Sequence, residues 1–260
     1  MSFLLSARAE LIKTRRSASF WVSLLGAGVI PLVFMIAYLV RPDQNAERLK
    51  AMPWESHFFH GWQNFSSFLL PLFVILICTQ IPQIEYKNNS WKQVFSSPQT
   101  IGNIFFSKYA AVGLMILFLF LSFNIFMIGS AIIANLIYPK FSFLKSQIDW
   151  GILLRLNVRT FVSLLGIISL QYWLSLRFRN FVVPIGFGLG LLVTAMIVLP
   201  FTQVSHHLPY SYPVLTFMLS ANKSPEDIAS LKYVEWGSVI YFLIFTLLGF
   251  LDMRYRKERG

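Results

Sequence analysis

Six apolar runs of about bilayer length, at about 20–40, 62–82, 108–136, 153–175, 181–201 and 233–252, limit this chain more than any other feature. A helix needs about 20 apolar residues to cross the hydrocarbon layer. Inside lipid each spanning segment must satisfy its own backbone hydrogen bonds, which favours helices. The second run contains Pro71, and the third is long enough to tilt. Hydrophobic residues make up 56% of the chain and charged residues 13%, half of the ~25% usual in soluble domains. Twenty-six Phe and seven Trp exceed what a soluble core of this size can hide. The expected fold class is an all-α integral membrane protein with six transmembrane helices in a single domain, 1–260. No internal repeat or low-complexity tract divides it. The first run ends at Tyr38-Leu39-Val40-Arg41-Pro42, without a small-residue cleavage site, and reads as a span and not as a cleavable signal.

Charge then orients the helices. The net charge is +11, and no Arg-rich stretch is long enough for a nucleic-acid arm, so lipid and not nucleic acid is the expected partner. With the N-terminus inside, the cytoplasmic segments hold Arg8, Lys13, Arg15, Arg16, Lys87, Lys92, Lys108, Arg177, Arg179, Arg254, Arg256, Lys257 and Arg259. The outer loops hold Arg41, Arg48, Lys50, Lys140, Lys145, Lys223 and Lys232, diluted by acids. Both termini are therefore expected to be cytoplasmic. The only cysteine, Cys78, sits in an apolar run, so no internal disulfide forms.

Three non-spanning segments carry pattern. From about 2 to 19, Phe3, Leu4, Ala7, Leu11 and Ile12 fall near helical spacing with Arg8, Lys13 and Arg15 on other faces, which predicts an amphipathic helix lying in the interface. From about 83 to 108, Trp91, Val94 and Phe95 stand at i, i+3, i+4 on a short helix that Ser90 would cap and Pro98 would stop. Aromatics on such a helix beside a membrane point to docking. From about 200 to 233 the chain is rich in Pro, His and Tyr, and 214–219 is apolar but too short to span, as in a re-entrant hairpin.

Motifs that carry chemistry are sparse. No GxxxxGK[ST], GxSxG, HExxH or CxxC string occurs. His57 and His60, with His206 and His207 in another outer loop, are weak candidates for a metal site, since the spacing is generic. Arg155 and Arg159 share one face of the fourth span and read as snorkelling to the outer interface. Asp252 is expected to pair locally with Arg254 and Arg256. Gly186 and Gly190 form a GxxxG face for packing against another helix or a second subunit.

With these pieces placed, the chain resembles the permease subunits of ABC-2 type transporters, in particular the six-helix type that includes the lantibiotic and bacteriocin self-protection permeases. Glu10, Lys13 and Arg16 match the E-x-x-K-x-x-R pattern of that family's elbow helix. The segment 85–98 resembles its coupling region: an acid after the second span (Glu85), a short helix, a small-residue–Pro turn (Ser97-Pro98) and a Lys opening the third span (Lys108). Asn88, Asn89 and Ser90 stand where the family usually carries a Gly.

The resemblance implies a bacterial inner-membrane transport subunit without an ATPase site or cofactor of its own. A separate ATP-binding subunit would hold ATP and Mg, and a second permease subunit would complete the pathway. ATPase coupling would fall to Glu85, Lys87, Trp91, Lys92, Val94, Phe95 and Pro98, and the cargo would be hydrophobic or amphipathic, such as a peptide antibiotic. The rival readings are a secondary transporter or channel, with only scattered groups such as Asn124 and Gln171 to serve it, and a membrane assembly factor with an outer His metal site.

Overall fold

A computed structural model describes residues 3–15, 17–222 and 224–255, with backbone only at 221 and 222. Arg16, Lys223, Arg256, Lys257 and Arg259 lie outside the described residues. Among those described, the elements are helices and there is no strand. Helix α1 is Phe3–Thr14, α2 Ala18–Val40, α3 Pro42–Leu49, α4 Pro53–Asn64, α5 Leu70–Lys87, α6 Trp91–Ser96 and α7 Ile101–Ile137. Helix α8 is Trp150–Arg177, α9 Val182–Val198, α10 Thr202–Ser205, α11 Tyr212–Asn222 and α12 Pro225–Tyr255.

Among the described residues, five helices are long and apolar enough to cross a membrane: α2, the continuous 53–87 unit of α4 and α5, α7, α8 and α12. Helix α9 is equally apolar but has 17 residues, at the short edge of the spanning range. Most of the long helices overrun the expected spans, whereas α9 falls short of the expected 181–201. The second unit begins at Pro53 instead of about 62, and α7 begins at Ile101 instead of about 108. Hydropathy sees only the part of a helix that matches hydrocarbon, whereas helix geometry continues into the polar ends. The outer loop expected after the first span is itself helical, as α3 and the start of α4.

The 53–87 unit is the most enclosed, with 61% of its most apolar stretch buried against 17% for α12. Helix α5 packs against α8, α2, α9 and α7, so it forms the centre of the bundle; α2 lies along α7 and α12 along α8. Val74, Ile75, Ile77, Cys78 and Ile81 on α5 are fully buried. A wide turn at Phe65–Leu69 joins α4 to α5, with the Leu70 N–H bonded to the Phe65 carbonyl. Pro71 explains it: its ring conflicts with the carbonyl four residues back, and a π-turn relieves the clash.

Polar side chains tie the helices where their backbones are already satisfied. Tyr38 Oη meets His57 Nδ1 at 2.7 Å, and His57 Nε2 meets the Met127 carbonyl at 2.9 Å. The Trp54 indole donates to the carbonyls of Phe143 and Ser146, which holds the loop after α7 against α4. Asn124 accepts from Trp62 and donates to Asn157. Gln171 donates to Thr79 and to the Pro184 carbonyl, and accepts from Tyr210 in the segment between α10 and α11.

Glycine packing differs from expectation within the chain. A Cβ at Gly186 or Gly190 would meet open space, whereas one at Gly188 would stand 2.7 Å from Gln171 Oε1 and 2.9 Å from Ile75 Cγ2. The face of α9 that enters the bundle is thus the one between the two GxxxG glycines in sequence. Gly188→Val is expected to destabilise the protein by about 1–3 kcal/mol through overpacking, and Gly186→Val by much less. Thermal unfolding in one detergent, with both variants side by side, checks the difference.

Candidate functional site

One end of the bundle gathers α1, α6, the last turns of α5 and α8, and the first turns of α7. Its centre is Lys108, fully buried two turns into α7. Lys108 Nζ lies 2.8 Å from Glu10 Oε2 on α1 and 2.7 Å from Glu85 Oε1 on α5. Lys13 Nζ bridges the same two acids, 2.8 Å from Glu10 Oε1 and 2.8 Å from Glu85 Oε1. Two cations therefore answer two carboxylates. Burial disfavours the Lys13 ammonium, but hydrogen bonds to Glu10 and Glu85 and their charges outweigh it, and its pKa is raised above the ordinary lysine value. Glu85 Oε2 is buried without a hydrogen-bond partner in the structure.

This arrangement explains α1. Its buried face is polar, Ser6, Glu10 and Thr14, while Phe3, Leu4, Leu5 and Ile12 are exposed. The bundle takes the polar side of α1; of the apolar set expected on one face, Leu11 packs partly against the core, while Leu4 and Ile12 are exposed on the side that also carries Arg8 and Arg15. Ser6 Oγ donates to Gln99 Oε1 at 3.0 Å, which adds a second tie between α1 and the segment after α6. Of the other predicted α1 residues, Arg15 is exposed just past the helix.

The turn from α5 into α6 is built on Asn89. Asn89 has φ 51°, the left-handed region, and the Ser90 N–H bonds the Glu85 carbonyl while the Asn89 N–H bonds that of Tyr86. That pair of bonds is a Schellman ending, which favours Gly and tolerates Asn. Asn89 thus takes the backbone conformation that the expected Gly would have supplied. Ser90 does not cap α6 as expected: its hydroxyl turns back toward the Glu85 carbonyl. Helix α6 ends at Ser96, before Pro98, as the sequence predicts. The next helix is capped by Thr100, whose side chain accepts from the Asn103 N–H.

The aromatic face of α6 turns partly toward its own bundle. Trp91 packs on Tyr86 at 5.2 Å and on Phe95 at 5.4 Å, with Lys108 Nζ 5.5 Å from its ring. Its indole nitrogen is buried and has no hydrogen-bond partner in the structure. Val94 and Phe95 are half-buried, while Lys87, Lys92, Gln93, Ser96 and Pro98 are exposed. A half-open cleft of about 410 Å³ separates α1 from α6, lined by the charged Glu10, Lys13 and Glu85 and by apolar Ala9, Ile84 and Val94 among others.

The remaining candidates lie apart from this end. Among the described residues, no group of three or more His, Cys, Asp or Glu is placed to hold a metal ion. His57 spends both ring nitrogens on Tyr38 and Met127, His60 Nδ1 contacts Ser56, and His207 Nδ1 contacts Tyr233. The His206 ring lies tilted against the same tyrosine, 6.1 Å between centroids. Arg159 reaches Glu235 at 3.4 Å, and Arg155 is exposed. Asp252 pairs with Arg177 at 2.6 Å and accepts from the Trp173 indole. The expected local pair named Arg254 and Arg256; Arg254 lies over the Tyr255 ring and Arg256 is outside the described residues, and α12 lies against α8 and brings Arg177 into reach of Asp252 instead. The central role of Lys108 was not visible in sequence beyond its placement at the start of a span.

Comparison with protein families finds a match to ABC-2 family transporter protein over residues 7–197. That stretch runs from α1 through nearly all of α9 and so includes the whole charged end. The chain belongs to the ABC-2 transporter family. Comparison with curated proteins finds no match. Members of the ABC-2 family are multi-pass membrane permease subunits that normally lack an ATPase site and work with an ATP-binding subunit. In this ABC-2 protein the turn at Asn89 sets the direction of α6. Asn89→Val is expected to cost about 1–2 kcal/mol, because a β-branched residue resists the left-handed conformation, whereas Asn89→Gly is expected to be close to neutral. Unfolding temperatures of the purified variants check this.

Proposed function

We propose that this protein is the transmembrane permease subunit of an ATP-driven ABC exporter, and that α6 is the element through which a separate ATP-binding subunit drives it. The observation that carries the reading is the structure of the segment 85–108: a turned-out six-residue helix between two long apolar helices, anchored by a buried charge cluster to α1. A short helix held this way can transmit a push to the spans on both sides of it, since packed elements shift as rigid bodies. Lys92, Gln93 and Ser96 form its free rim, Val94 and Phe95 are partly available as anchors, and Trp91 braces the helix from behind.

In this reading α9 is the fifth of six spans and the segment 199–224 is a re-entrant hairpin. Tyr210, fully buried and bonded to Gln171 well inside α8, supports that placement. Both termini and the charged end face the cytoplasm of a bacterium, in keeping with the distribution of Lys and Arg. The exposed side of α1, where Leu4 and Ile12 stand with Arg8 and Arg15, suits the lipid interface. A second permease subunit completes the pathway, and the open groove of Gly186, Phe187 and Gly190 on α9 is a surface it could cover. The cargo is a hydrophobic or amphipathic molecule such as a peptide antibiotic, in keeping with apolar spans that carry few charges.

Trp91→Ala removes the brace behind α6 and is expected to reduce co-purification of the ATP-binding subunit strongly, while membrane insertion and yield stay near wild type. Affinity pull-down from co-expressing membranes measures it. Undiminished co-purification of the Trp91→Ala protein would count against α6 as the docking element.

A further inference from the structure

We propose that Lys108 is a positioning residue that fastens α1 to α6 and to the adjoining ends of α5 and α7, so that the N-terminal helix moves with the docking helix as one body. The proposal rests on the reading of α6 as the docking element. It adds that α1 is part of the lever and not a passive anchor in the interface.

Three observations support it. Lys108 reaches three elements at once: Glu10 on α1, Glu85 at the end of α5, and the ring of Trp91 on α6. The connection between α1 and α6 is not made by close packing of the two helices, because a half-open cleft of about 410 Å³ lies between them, lined by polar residues and by apolar ones such as Ala9, Ile84 and Val94. Directional bonds therefore have to carry it: the Lys108 and Lys13 bridges on one side of the gap and the Ser6–Gln99 bond on the other. The ammonium is also fully enclosed, and a buried charge holds its partners because separating it from them leaves it unanswered. Apolar packing in lipid, by contrast, gives helices little preference for each other over the surrounding tails.

The test uses cysteines at two positions the structure brings together, Ser6→Cys with Gln99→Cys, and a short bifunctional methanethiosulfonate. Cys78 is fully buried and does not compete. In the full-length permease alone, in lipid nanodiscs, the cross-link is expected to form in high yield, to fall several-fold when Lys108→Met is added, and to recover with Lys108→Arg. Glu10→Gln, which releases only the α1 arm and leaves the Lys108–Glu85 pair, is expected to lower the yield as well; this arm decides the matter if Lys108→Met does not fold.

With the ATP-binding subunit present, the cross-linked permease is expected to modulate ATP turnover as the unlinked one does. Lys108→Met is expected to keep co-purification of that subunit but lose the modulation. A cross-link that abolishes the modulation, or a yield indifferent to Lys108→Met and Glu10→Gln, would overturn the proposal. Failure of any ATP-binding subunit to associate would instead strike the docking reading, since the yield in the permease alone does not depend on it.

Discussion

An ammonium enclosed in a membrane protein has to be met by carboxylates from whatever elements surround it, and Lys108 is met by two, from α1 and α5. Leaving such a charge without one of its partners costs about 3–5 kcal/mol, which is large against the few kcal/mol by which a fold is stable. Much of the charged end follows from this demand. Helix α1 turns its polar side inward because Glu10 is required there, and Leu4 and Leu5 face outward as a result. The last turn of α5 continues past the apolar run so that Glu85 can reach the same site. Helix α7 begins two turns before its lysine, which places the charge inside the helix and not at its tip.

The opposite end is organised by aromatic and amide groups and not by charge. Trp54 pins the loop after α7, His57 joins α2 to α7 by bonds from both ring nitrogens, and Asn135 accepts from the Phe143 N–H to close the loop on itself. Between the two ends, Gln171 and Asn124 each connect elements that apolar packing alone would leave free to slide. The protein thus has an apolar middle crossed by directional ties at a few heights. Such ties matter in lipid, where helices gain little from burying apolar surface against one another.

Much of the architecture was legible from residue pattern. Apolar runs of about 20 residues located the long helices, and Pro98 and the Trp91–Phe95 spacing located α6. What pattern missed follows from physical causes. Hydropathy undershot the helix ends at Pro53 and Ile101 because helix propensity does not stop where the hydrocarbon does. Ser90 looked like a cap, but the Schellman turn through Asn89 directs its hydroxyl back toward Glu85. Asp252 looked paired to its sequence neighbours, but helix packing offers it Arg177. Of the two partners the Gly186–Gly190 face allowed, a helix of this chain is not the one it meets: Gly188 enters the bundle, because which face of a helix apolar on every side is buried cannot be read from its sequence.

By itself the sequence determined that the chain is helical and membrane-embedded, how its charge is distributed along the chain, and where the short helix between the second and third apolar runs lies. These are local properties, set by run length, side-chain type and turn chemistry. Tertiary structure decided which charges meet. Lys108 stands 98 positions from Glu10 and 23 from Glu85 along the chain, and no periodicity links them. Only the packing of α1 against α7, with α5 beside it, brings two acids and two lysines together around a fully buried Lys108, next to Trp91 of α6.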